Sequence, residues 1–362
     1  MTDPFPDIAD HLARLCASGR FLNAGLARLD GAETSRVFGA MAPGGPPLTD
    51  PTLRLRMASI SKAATARAMV AVAMGQGVPL SLPVAGLLEM DLPGVTLDHL
   101  LSHTSGLTDH AGYIVEPPAS VADFIADHPK AVSGMPPGTF FRYANLNYVL
   151  LGLALERLAG DRFDRVLRRH VLDPAGIGGG FNWVGVTDRR ALPVWQRHGD
   201  RLVCEADGAV EATADLIWRE GRGLSLAAYR AGRDTMLFSP HAGLRMNVIE
   251  AARLAKLLGG DDPVAVEQRR PRWRFDGTNG EDCGGLFTAF GAGVTLYDGH
   301  PRIPGRLTGH GGHALGFTGG AWFDHGTGAA WAYVLNGAPD LTEGQDQEAF
   351  YAEDELVVME RL

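Results

Sequence analysis

The chain has 362 residues, of which 45% are hydrophobic and 21% are charged, and this length and composition predict a folded protein with a large core. They exclude a small disulfide-held scaffold and a disordered chain. The formal net charge of -9 at pH 7 argues against a nucleic-acid partner, because binding to a phosphate backbone requires clustered lysine and arginine.

The cysteines and the N-terminal segment indicate the cellular compartment. Cys16, Cys204 and Cys283 are odd in number and lack metal-ligand spacing, so we expect reduced thiols, with no disulfide framework and no zinc site. Residues 1–7 are acidic and lack the basic segment and apolar run of a signal peptide. No stretch reaches the roughly 18 apolar residues of a membrane span. We therefore expect a cytoplasmic protein without a membrane partner, unless a leader has been removed from it.

The hydrophobic pattern predicts strands near both ends of the chain and helices in the middle. Residues 6–18 have helical spacing, and residues 21–40 alternate around a turn at Asp30-Gly31, which predicts a helix followed by a β-hairpin. Residues 61–74 are apolar nearly all round, which is typical of a buried central helix. The remaining predicted elements are helices at 95–103, 120–128, 145–159, 161–171 and 247–258, strand-like runs at 285–297, 306–310, 316–323 and 329–336, and a final helix at 344–361.

These elements predict an α/β (α+β) architecture, in which an antiparallel sheet is flanked by the N- and C-terminal helices. We expect residues 1–65 and 283–362 to form this sheet with its terminal helices. Residues 66–282 then form an inserted, mostly helical domain. The active site is expected in the cleft between the two domains.

One basic cluster lies at residues 269–274, where four arginines surround a proline and a tryptophan. A short cluster of this kind is most typical of a solvated loop. An arginine lip that meets an acidic substrate or a phosphate is the alternative interpretation.

Chemistry is first indicated by Ser59 and Lys62, which are three residues apart at the start of the buried helix. This spacing places both side chains on one helix face, with Cβ atoms about 5–6 Å apart. The free N–H groups and the dipole of a helix N-terminus favour an alkoxide and the oxyanion that follows it. A lysine in an apolar setting is pushed toward its neutral form and can accept the serine proton. The pair predicts a nucleophile and its base, and an ordinary helix start is the alternative for these two residues alone.

Two further motifs fit the same chemistry. Tyr143-Ala144-Asn145 opens a predicted helix, where a tyrosine hydroxyl near a serine and a lysine can relay a proton and an amide can hold a substrate carbonyl. Residues 307–313 form a glycine-dense strand that a substrate backbone can approach closely, and an N–H there can join the N–H of Ser59 in an oxyanion hole. Taken singly, each motif also fits a structural role, as a packed tyrosine, a helix cap or a glycine turn with solvated histidines.

Together and in this order, the motifs resemble the penicillin-recognising serine hydrolases. This family includes class C β-lactamases, serine DD-peptidases, D-aminopeptidases and amidases, and family VIII esterases, and a serine-x-x-lysine signature with companion motifs is typical of it. Residues 100–107 (Leu-Leu-Ser-His-Thr-Ser-Gly-Leu) are similar to the family's loop between the nucleophile helix and the tyrosine motif. Residues 143–152 match the family's tyrosine helix, and the likeness spans about residues 21–337.

The resemblance implies a serine hydrolase that works through an acyl-enzyme. It makes Ser59 the nucleophile, and Lys62 and Tyr143 the catalytic residues that handle the proton. Asn145 is implied as a ligand for the carbonyl side of the substrate. No metal and no cofactor are implied.

The resemblance also assigns the glycine-rich strand. His310, Gly311 and Gly312 match the family's lysine-threonine-glycine motif and are implied to bind substrate. The backbone N–H groups of Ser59 and His313 are implied to form the oxyanion hole. In the shared loop, we expect both His103 and Ser105 to have structural roles.

The histidine at position 310 bears on the choice of substrate. Histidine at position 310 is only partly charged near neutral pH, so a strong hold on a substrate carboxylate is not expected. We therefore expect a small-molecule carboxylic ester or a small amide or D-aminoacyl bond as substrate, with β-lactamase or DD-peptidase activity as the alternative. The sequence does not indicate an oligomeric state.

Two alternatives belong to other classes of function. A metal hydrolase would draw on His99, His103, His310 and His313, but Leu100 stands where a zinc protease of the HExxH type has its glutamate base. A catalytically silent binding or regulatory member of the family is the other alternative. The intact serine, lysine and tyrosine argue against it.

Overall fold

The computed structural model describes residues 5–115, 119–132, 134–188, 190–204, 216–219, 222–338 and 353–361. Its α-helices are α1 (Pro6–Ala17), α2 (Ile60–Gln76), α3 (Val84–Leu88), α4 (Leu97–Leu101), α5 (Val121–Asp127), α6 (Asn145–Ala159), α7 (Phe163–Leu167), α8 (Val248–Leu258), α9 (Pro263–Arg269) and α10 (Glu353–Met359). Its strands are β1 (Asn23–Leu29), β2 (Glu33–Gly39), β3 (Leu55–Arg56), β4 (Gly180–Phe181), β5 (Trp195–His198), β6 (Arg201–Cys204), β7 (Leu216–Arg219), β8 (Arg222–Ser225), β9 (Leu244–Met246), β10 (Trp273–Arg274), β11 (Ala289–Phe290), β12 (Thr295–Asp298), β13 (Arg306–Ala314), β14 (Phe317–Asp324) and β15 (Ala330–Asn336).

The strands from both ends of the chain form one antiparallel sheet. Its order is β10-β11-β12-β13-β14-β15-β1-β2. β1 pairs with β15 along its whole length, from Asn23 opposite Asn336 to Leu29 opposite Ala330. The predicted combination of an antiparallel sheet with flanking helices is therefore confirmed.

Helices cover both faces of the sheet. On one face, Ile8 and Leu12 of α1 and Val358 of α10 share an apolar cluster with Trp331 and other inward-facing strand residues. On the other face, α8 packs on β1, β14 and β15, and α2 packs on β13. Because side chains alternate along a strand, neighbouring residues of β13 face opposite layers.

Small residues allow α2 to occupy the centre of the molecule. Ala63, Ala64, Ala66 and Ala68 are fully buried, and α6 and α9 pack against the helix. Such all-round burial was expected from the apolar pattern of residues 61–74. α6 likewise has the predicted bounds, 145–159.

Other boundaries differ from the prediction. The helix expected at 95–103 spans only Leu97–Leu101, and the strand expected at 306–310 continues to Ala314. Glycine lowers strand propensity, so sequence pattern alone ends this strand too early. Of the final helix expected at 344–361, the structure shows Glu353–Met359, and residues 344–352 lie outside the described residues.

The division into two domains stays a prediction. Residues 66–282 contain most of the helices, but β10 also falls in this range and pairs with β11 of the sheet. α8, in the same range, packs directly on the sheet. The middle of the chain also contains small sheets of its own, one of them with the order β3-β9-β4.

The basic cluster at residues 269–274 agrees only in part with the expected solvated loop, because Arg270 and Arg274 are exposed while Arg272 is buried in ion pairs. The side chain of Arg272 is only 2% exposed, and its guanidinium binds the carboxylates of Asp98 and Glu267. Arg269 donates to backbone carbonyls at the end of α8. Asp98 lies 174 residues away in the chain, a distance over which sequence pattern does not reveal a partner.

A buried ion pair holds the segment that leads into α2. The guanidinium of Arg54, next to β3, contacts the Glu250 carboxylate of α8, and its Nη2 atom lies 2.7 Å from Oε1. The same carboxylate accepts the backbone N–H groups of Gly178 at 2.8 Å and Asn247 at 3.0 Å. The side chains of the ion pair are 10% and 5% exposed. The carboxylate is therefore buried but fully partnered.

We predict that Arg54→Met lowers the free energy of unfolding by about 3–5 kcal/mol, because it leaves a buried carboxylate without its cation. Urea unfolding followed by circular dichroism measures this loss. The matched control is Arg190→Met, whose ion pair with Asp188 is about half exposed. This control should change the free energy of unfolding by about 1 kcal/mol or less. Equal losses in the two variants would contradict a structural role for the buried pair.

Candidate active site

Ser59 lies at a sharp turn between β3 and α2. The preceding residue, Ala58, has φ 44°, which is the left-handed region that a non-glycine residue enters only at a cost. Ser59 occupies the N-cap position of α2, but its side chain does not cap the helix. The hydroxyl is therefore directed to other partners, and the backbone N–H lies at the positive end of the helix dipole.

Lys62 is one turn into α2 and fully buried. Its Nζ atom lies 2.8 Å from Oγ of Ser59, 2.7 Å from Oδ1 of Asn145 and 3.3 Å from the carbonyl oxygen of His241. Burial lowers the pKa of the amine to about 7, although the negative charge of Asp109 raises it in part. Near neutral pH, a substantial fraction of the amine is thus neutral and able to accept a proton.

Asn145 is oriented by Asp109. The Asp109 carboxylate accepts the backbone N–H of Asn145 at 2.8 Å, its side-chain amide at 2.9 Å, and the backbone N–H of Leu146 at 3.0 Å. These bonds cap the N-terminus of α6. Because the amide nitrogen is held by Asp109, the amide oxygen faces Lys62.

Tyr143 stands beside this pair. Its ring stacks between His103, at a centroid distance of 4.3 Å, and Phe287, at 5.2 Å. Nζ of Lys62 lies 4.8 Å from the centroid of the tyrosine ring. Burial raises the pKa of the Tyr143 phenol well above its usual value, and a hydrogen bond with Ser59 offsets part of this rise. The phenol is therefore a proton donor rather than a resident phenolate.

The shared loop supports the tyrosine motif. His103 has φ 57°, and its Nδ1 atom accepts the backbone N–H of Ala144 at 3.2 Å. Ser105 donates to the Asn147 side chain at 2.5 Å. These hydrogen bonds of His103 and Ser105 go to residues at the start of α6 and not to Ser59 or Lys62. They fit the structural role expected for both residues.

His310 faces the site from β13. Its Nδ1 atom lies 2.5 Å from the Gly311 carbonyl oxygen, which can only accept, so Nδ1 carries the proton. Burial, aided by the charge of Lys62, lowers the pKa of the imidazole to about 3. Among the described residues, the buried Nε2 atom has no hydrogen-bond partner. His310 thus presents a neutral hydrogen-bond acceptor.

β13 passes directly beside Ser59. A Cβ atom on Gly312 would lie 2.7 Å from the Met57 carbonyl oxygen and 3.2 Å from the Ser59 nitrogen, so only glycine allows the strand to approach so closely. His313 points its side chain to the opposite face of the sheet, where it meets Glu355. The oxyanion role of the His313 N–H stays a prediction.

Sequence reasoning missed Asp109 and the carbonyl of His241. Asp109 comes two residues after the loop at 100–107 that carries the resemblance, but it meets Asn145 only through the fold. A carbonyl ligand has no side-chain signature at all. Within the described residues, no group of three or more histidine, cysteine, aspartate or glutamate side chains is arranged to hold a metal ion.

Comparisons with known proteins place this site in a family. The sequence profile of the Beta-lactamase family matches residues 8–355. A penicillin-binding protein from Bacillus subtilis is 30% identical over 109 residues, which are 28% of this chain and 23% of that protein. This match therefore covers less than a quarter of the length of the curated relative.

Solved structures show the same fold over nearly the whole chain. The D-amino acid amidase from Ochrobactrum anthropi, complexed with L-phenylalanine, has a TM-score of 0.69 at 22% identity, with 98% of this chain and 95% of the amidase covered. The octameric penicillin-binding protein homologue from Pyrococcus abyssi has a TM-score of 0.71 at 20% identity, with 99% of this chain and 78% of that chain covered.

We predict that Lys62 titrates near pH 7 in the folded protein. The chain has only three lysines, so a carbon-detected spectrum of protein labelled at lysine Cε contains three signals, and Lys62→Met identifies one of them. Its midpoint should lie near 7, because burial lowers the pKa of Lys62 to about 7. Asp109→Asn should move this midpoint to lower pH, because the Asp109 charge raises the lysine pKa.

The control for this titration is Glu89→Gln, which removes a carboxylate that is 82% exposed. It should leave the Lys62 midpoint unchanged. A midpoint at the ordinary lysine value of about 10.4 in the unmodified protein would contradict the prediction.

Proposed function

The chain belongs to the Beta-lactamase family and is a hydrolase, and on this premise we propose that it cleaves a small ester or amide through an acyl-enzyme on Ser59. The observation that carries the proposal is the 2.8 Å contact between the Ser59 hydroxyl and the Lys62 amine. A buried amine whose pKa is about 7 is matched to proton transfer at neutral pH.

In the proposed acylation step, neutral Lys62 takes the proton of the Ser59 hydroxyl as its oxygen attacks the substrate carbonyl. The carbonyl oxygen becomes an oxyanion, which the backbone N–H groups of Ser59 and His313 stabilise. Tyr143 then donates its phenolic proton to the leaving alcohol or amine and regains one from Lys62. The bond to the leaving group breaks, and the acyl group remains on Ser59.

In the proposed deacylation step, a water molecule attacks the acyl carbonyl. Lys62 and Tyr143 take the water proton, and the bond between the acyl carbon and the Ser59 oxygen then breaks. The carboxylic acid leaves, and a proton returns to the Ser59 oxygen, which restores the resting enzyme. Asp109 holds the amide nitrogen of Asn145, so the amide oxygen faces the site and, once the substrate displaces the lysine amine from it, accepts an N–H group on the carbonyl side of an amide substrate. In this proposal, Lys62 and Tyr143 transfer protons and Asn145 binds the substrate.

The neutral state of His310 supports a substrate without a carboxylate at this end of the site. The Nε2 lone pair, which has no partner among the described residues, can accept a hydrogen bond, and the neutral ring attracts no anion. An ester, or the amide of an amino acid, meets this condition better than a penicillin with its obligatory carboxylate. The structural similarity to a D-amino acid amidase supports the D-aminoacyl amide as one candidate. β-Lactamase and DD-peptidase activities remain the second proposal.

The helices of the chain bear on its relation to membranes. In the part of the chain that the structure describes, none of the helices has the length and hydropathy that crossing a bilayer requires. The cytoplasmic location expected from the sequence stays a prediction.

We predict that short-chain p-nitrophenyl esters are hydrolysed with an initial burst of nitrophenol, because the acyl-enzyme forms faster than it is hydrolysed. A fluorophosphonate probe should label the unmodified protein at Ser59. Ser59→Ala should abolish labelling and lower ester turnover by about 10⁴-fold or more. Mass spectrometry of the labelled peptide and stopped-flow absorbance provide the two measurements.

Ser61→Ala is the matched control, since Ser61 is a buried serine two residues away whose hydroxyl accepts the Leu244 N–H at 3.0 Å. It should retain both the label and the burst. A folded protein that shows neither label nor turnover would refute the proposed function.

We predict that His310→Lys shifts specificity toward anionic substrates. A charge-assisted hydrogen bond contributes about 1.5–3 kcal/mol, so the preference for a carboxylate should rise by about 10- to 100-fold. The measurement compares kcat/KM for the p-nitrophenyl monoester of succinate with that for p-nitrophenyl butyrate at pH 7. The control His128→Lys adds the same charge at an exposed position and should leave the ratio unchanged. An unchanged ratio in His310→Lys would contradict the role given to His310.

A further inference from the structure

The buried carboxylate of Glu355 lies on the far side of the sheet from Ser59. Its side chain is 1% exposed, although it belongs to the short C-terminal helix α10. An unpaired carboxylate in such a place would be strongly destabilising. Both of its oxygens have partners: Oε2 lies 2.9 Å from Nε2 of His313, and Oε1 accepts the Tyr333 hydroxyl at 2.9 Å. The carboxylate therefore joins β13 to β15 across the intervening strand β14.

A glycine in β14 makes room for this bridge. Gly320 lies opposite Tyr333 in the sheet register. A Cβ atom at Gly320 would come within 2.8 Å of the Tyr333 ring, so any larger residue would push the ring away. The lack of a side chain at this position lets the tyrosine lie over β14 and reach Glu355.

Two partly exposed ion pairs hold α10 in place on either side of the carboxylate. Arg20, which follows α1, lies 2.9 Å from Asp354, and Arg302 lies 2.7 Å from Glu360. Apolar contacts of Val358 and Met359 with the outer face of the sheet complete the docking. The position of Glu355 is thus fixed independently of its bond to His313.

The partner of Glu355 on β13 is His313. The residue before it, Gly312, lies on the opposite face of the strand, against the nucleophile. Gly312 lies against the Met57 carbonyl and the Ser59 nitrogen, and the His313 side chain points the opposite way. The strand turns only two residues later, at Leu315 (φ 55°) and Gly316 (φ 84°). The end of β13 is therefore short and rich in glycine. The contact of the His313 ring with Glu355 holds it on the face of the sheet away from Ser59.

We propose that Glu355 is a positioning residue of the active site: it anchors the His313 ring and thereby fixes the peptide plane whose N–H faces the developing oxyanion. This inference rests on the proposed function, since it assumes that the His313 N–H serves the oxyanion. Glu355 acts through His313 and does not touch the substrate. Docking of the C-terminal helix is thus coupled to the geometry of acyl transfer.

The test uses Glu355→Met, which fills similar volume without an acceptor, and Glu355→Gln, whose amide oxygen can still accept from His313. A misplaced oxyanion donor weakens transition-state binding, so Glu355→Met should lower kcat for p-nitrophenyl butyrate by about tenfold or more. KM should change by about twofold or less, because ground-state binding does not use this donor. Glu355→Gln should restore most of the lost kcat.

The control is Tyr333→Phe, which removes the other hydrogen bond of the same carboxylate and leaves the His313 contact in place. It should affect the free energy of unfolding but leave kcat nearly unchanged. All rates are measured at a temperature well below the unfolding midpoint of the least stable variant, so that lost folding is not read as lost catalysis.

A second readout distinguishes a positioning role from general destabilisation. Sulfur accepts hydrogen bonds poorly, so an intact oxyanion hole favours an ester over the matching thionoester, in which sulfur replaces the carbonyl oxygen. The ratio of kcat/KM for ester to thionoester should fall in Glu355→Met and stay at the unmodified value in Tyr333→Phe. In a His313→Phe background, Glu355→Met should have no further effect on this ratio.

The outcomes separate the two proposals. An unmodified protein that shows no label and no burst overturns the proposed function and this inference with it. An active protein whose ester-to-thionoester ratio is the same in Glu355→Met and Tyr333→Phe overturns the inference alone.

Discussion

The structure of the site depends on one physical constraint, the burial of the Lys62 amine next to the Ser59 hydroxyl. A fully buried ammonium would lose several kcal/mol of hydration, so the fold must either neutralise it or surround it with acceptors. The fold does both: the pKa of the amine is lowered to about 7, and three oxygen acceptors lie within 3.3 Å of it. One acceptor comes from Ser59 at the N-cap of α2, one from α6 and one from a loop carbonyl, which makes the amine the point where these segments meet.

Close packing around α2 follows from this constraint. Water is kept from the amine only if neighbouring backbones approach the helix closely, and small residues achieve this on each side. Alanines of α2 face α6 and α9, and Gly312 lets β13 lie against the nitrogen of Ser59. At Gly293 (φ 67°), a Cβ atom would come within 2.4 Å of Ala66. The alanines of α2, which favour a helix, and the glycines of the neighbouring segments, which weaken local strand propensity, thus let these backbones pack closely around the amine.

Sequence reasoning recovered the elements whose signal is local and missed contacts that only the fold creates. The bounds of α6 and the all-round burial of α2 follow from hydrophobic pattern, and Ser59 and Lys62 lie together because helical spacing requires it. Asp109 and Glu355 could not be found in this way. Each is an acid whose partner is distant in the sequence, and an acid buried by tertiary contacts has the same local pattern as a solvated one.

The histidines near Lys62 determine where the proton can go. Burial and the charge of Lys62 lower the pKa of both His103 and His310, the latter to about 3, so neither imidazole holds a proton that competes with the lysine. Burial also raises the pKa of Tyr143, which keeps its phenol protonated. A second cation at position 310 would further disfavour the charged form of Lys62 and would draw anionic substrates toward the amine. A neutral histidine at this position therefore bears on both substrate choice and nucleophile activation, because the same electrostatic environment governs the two.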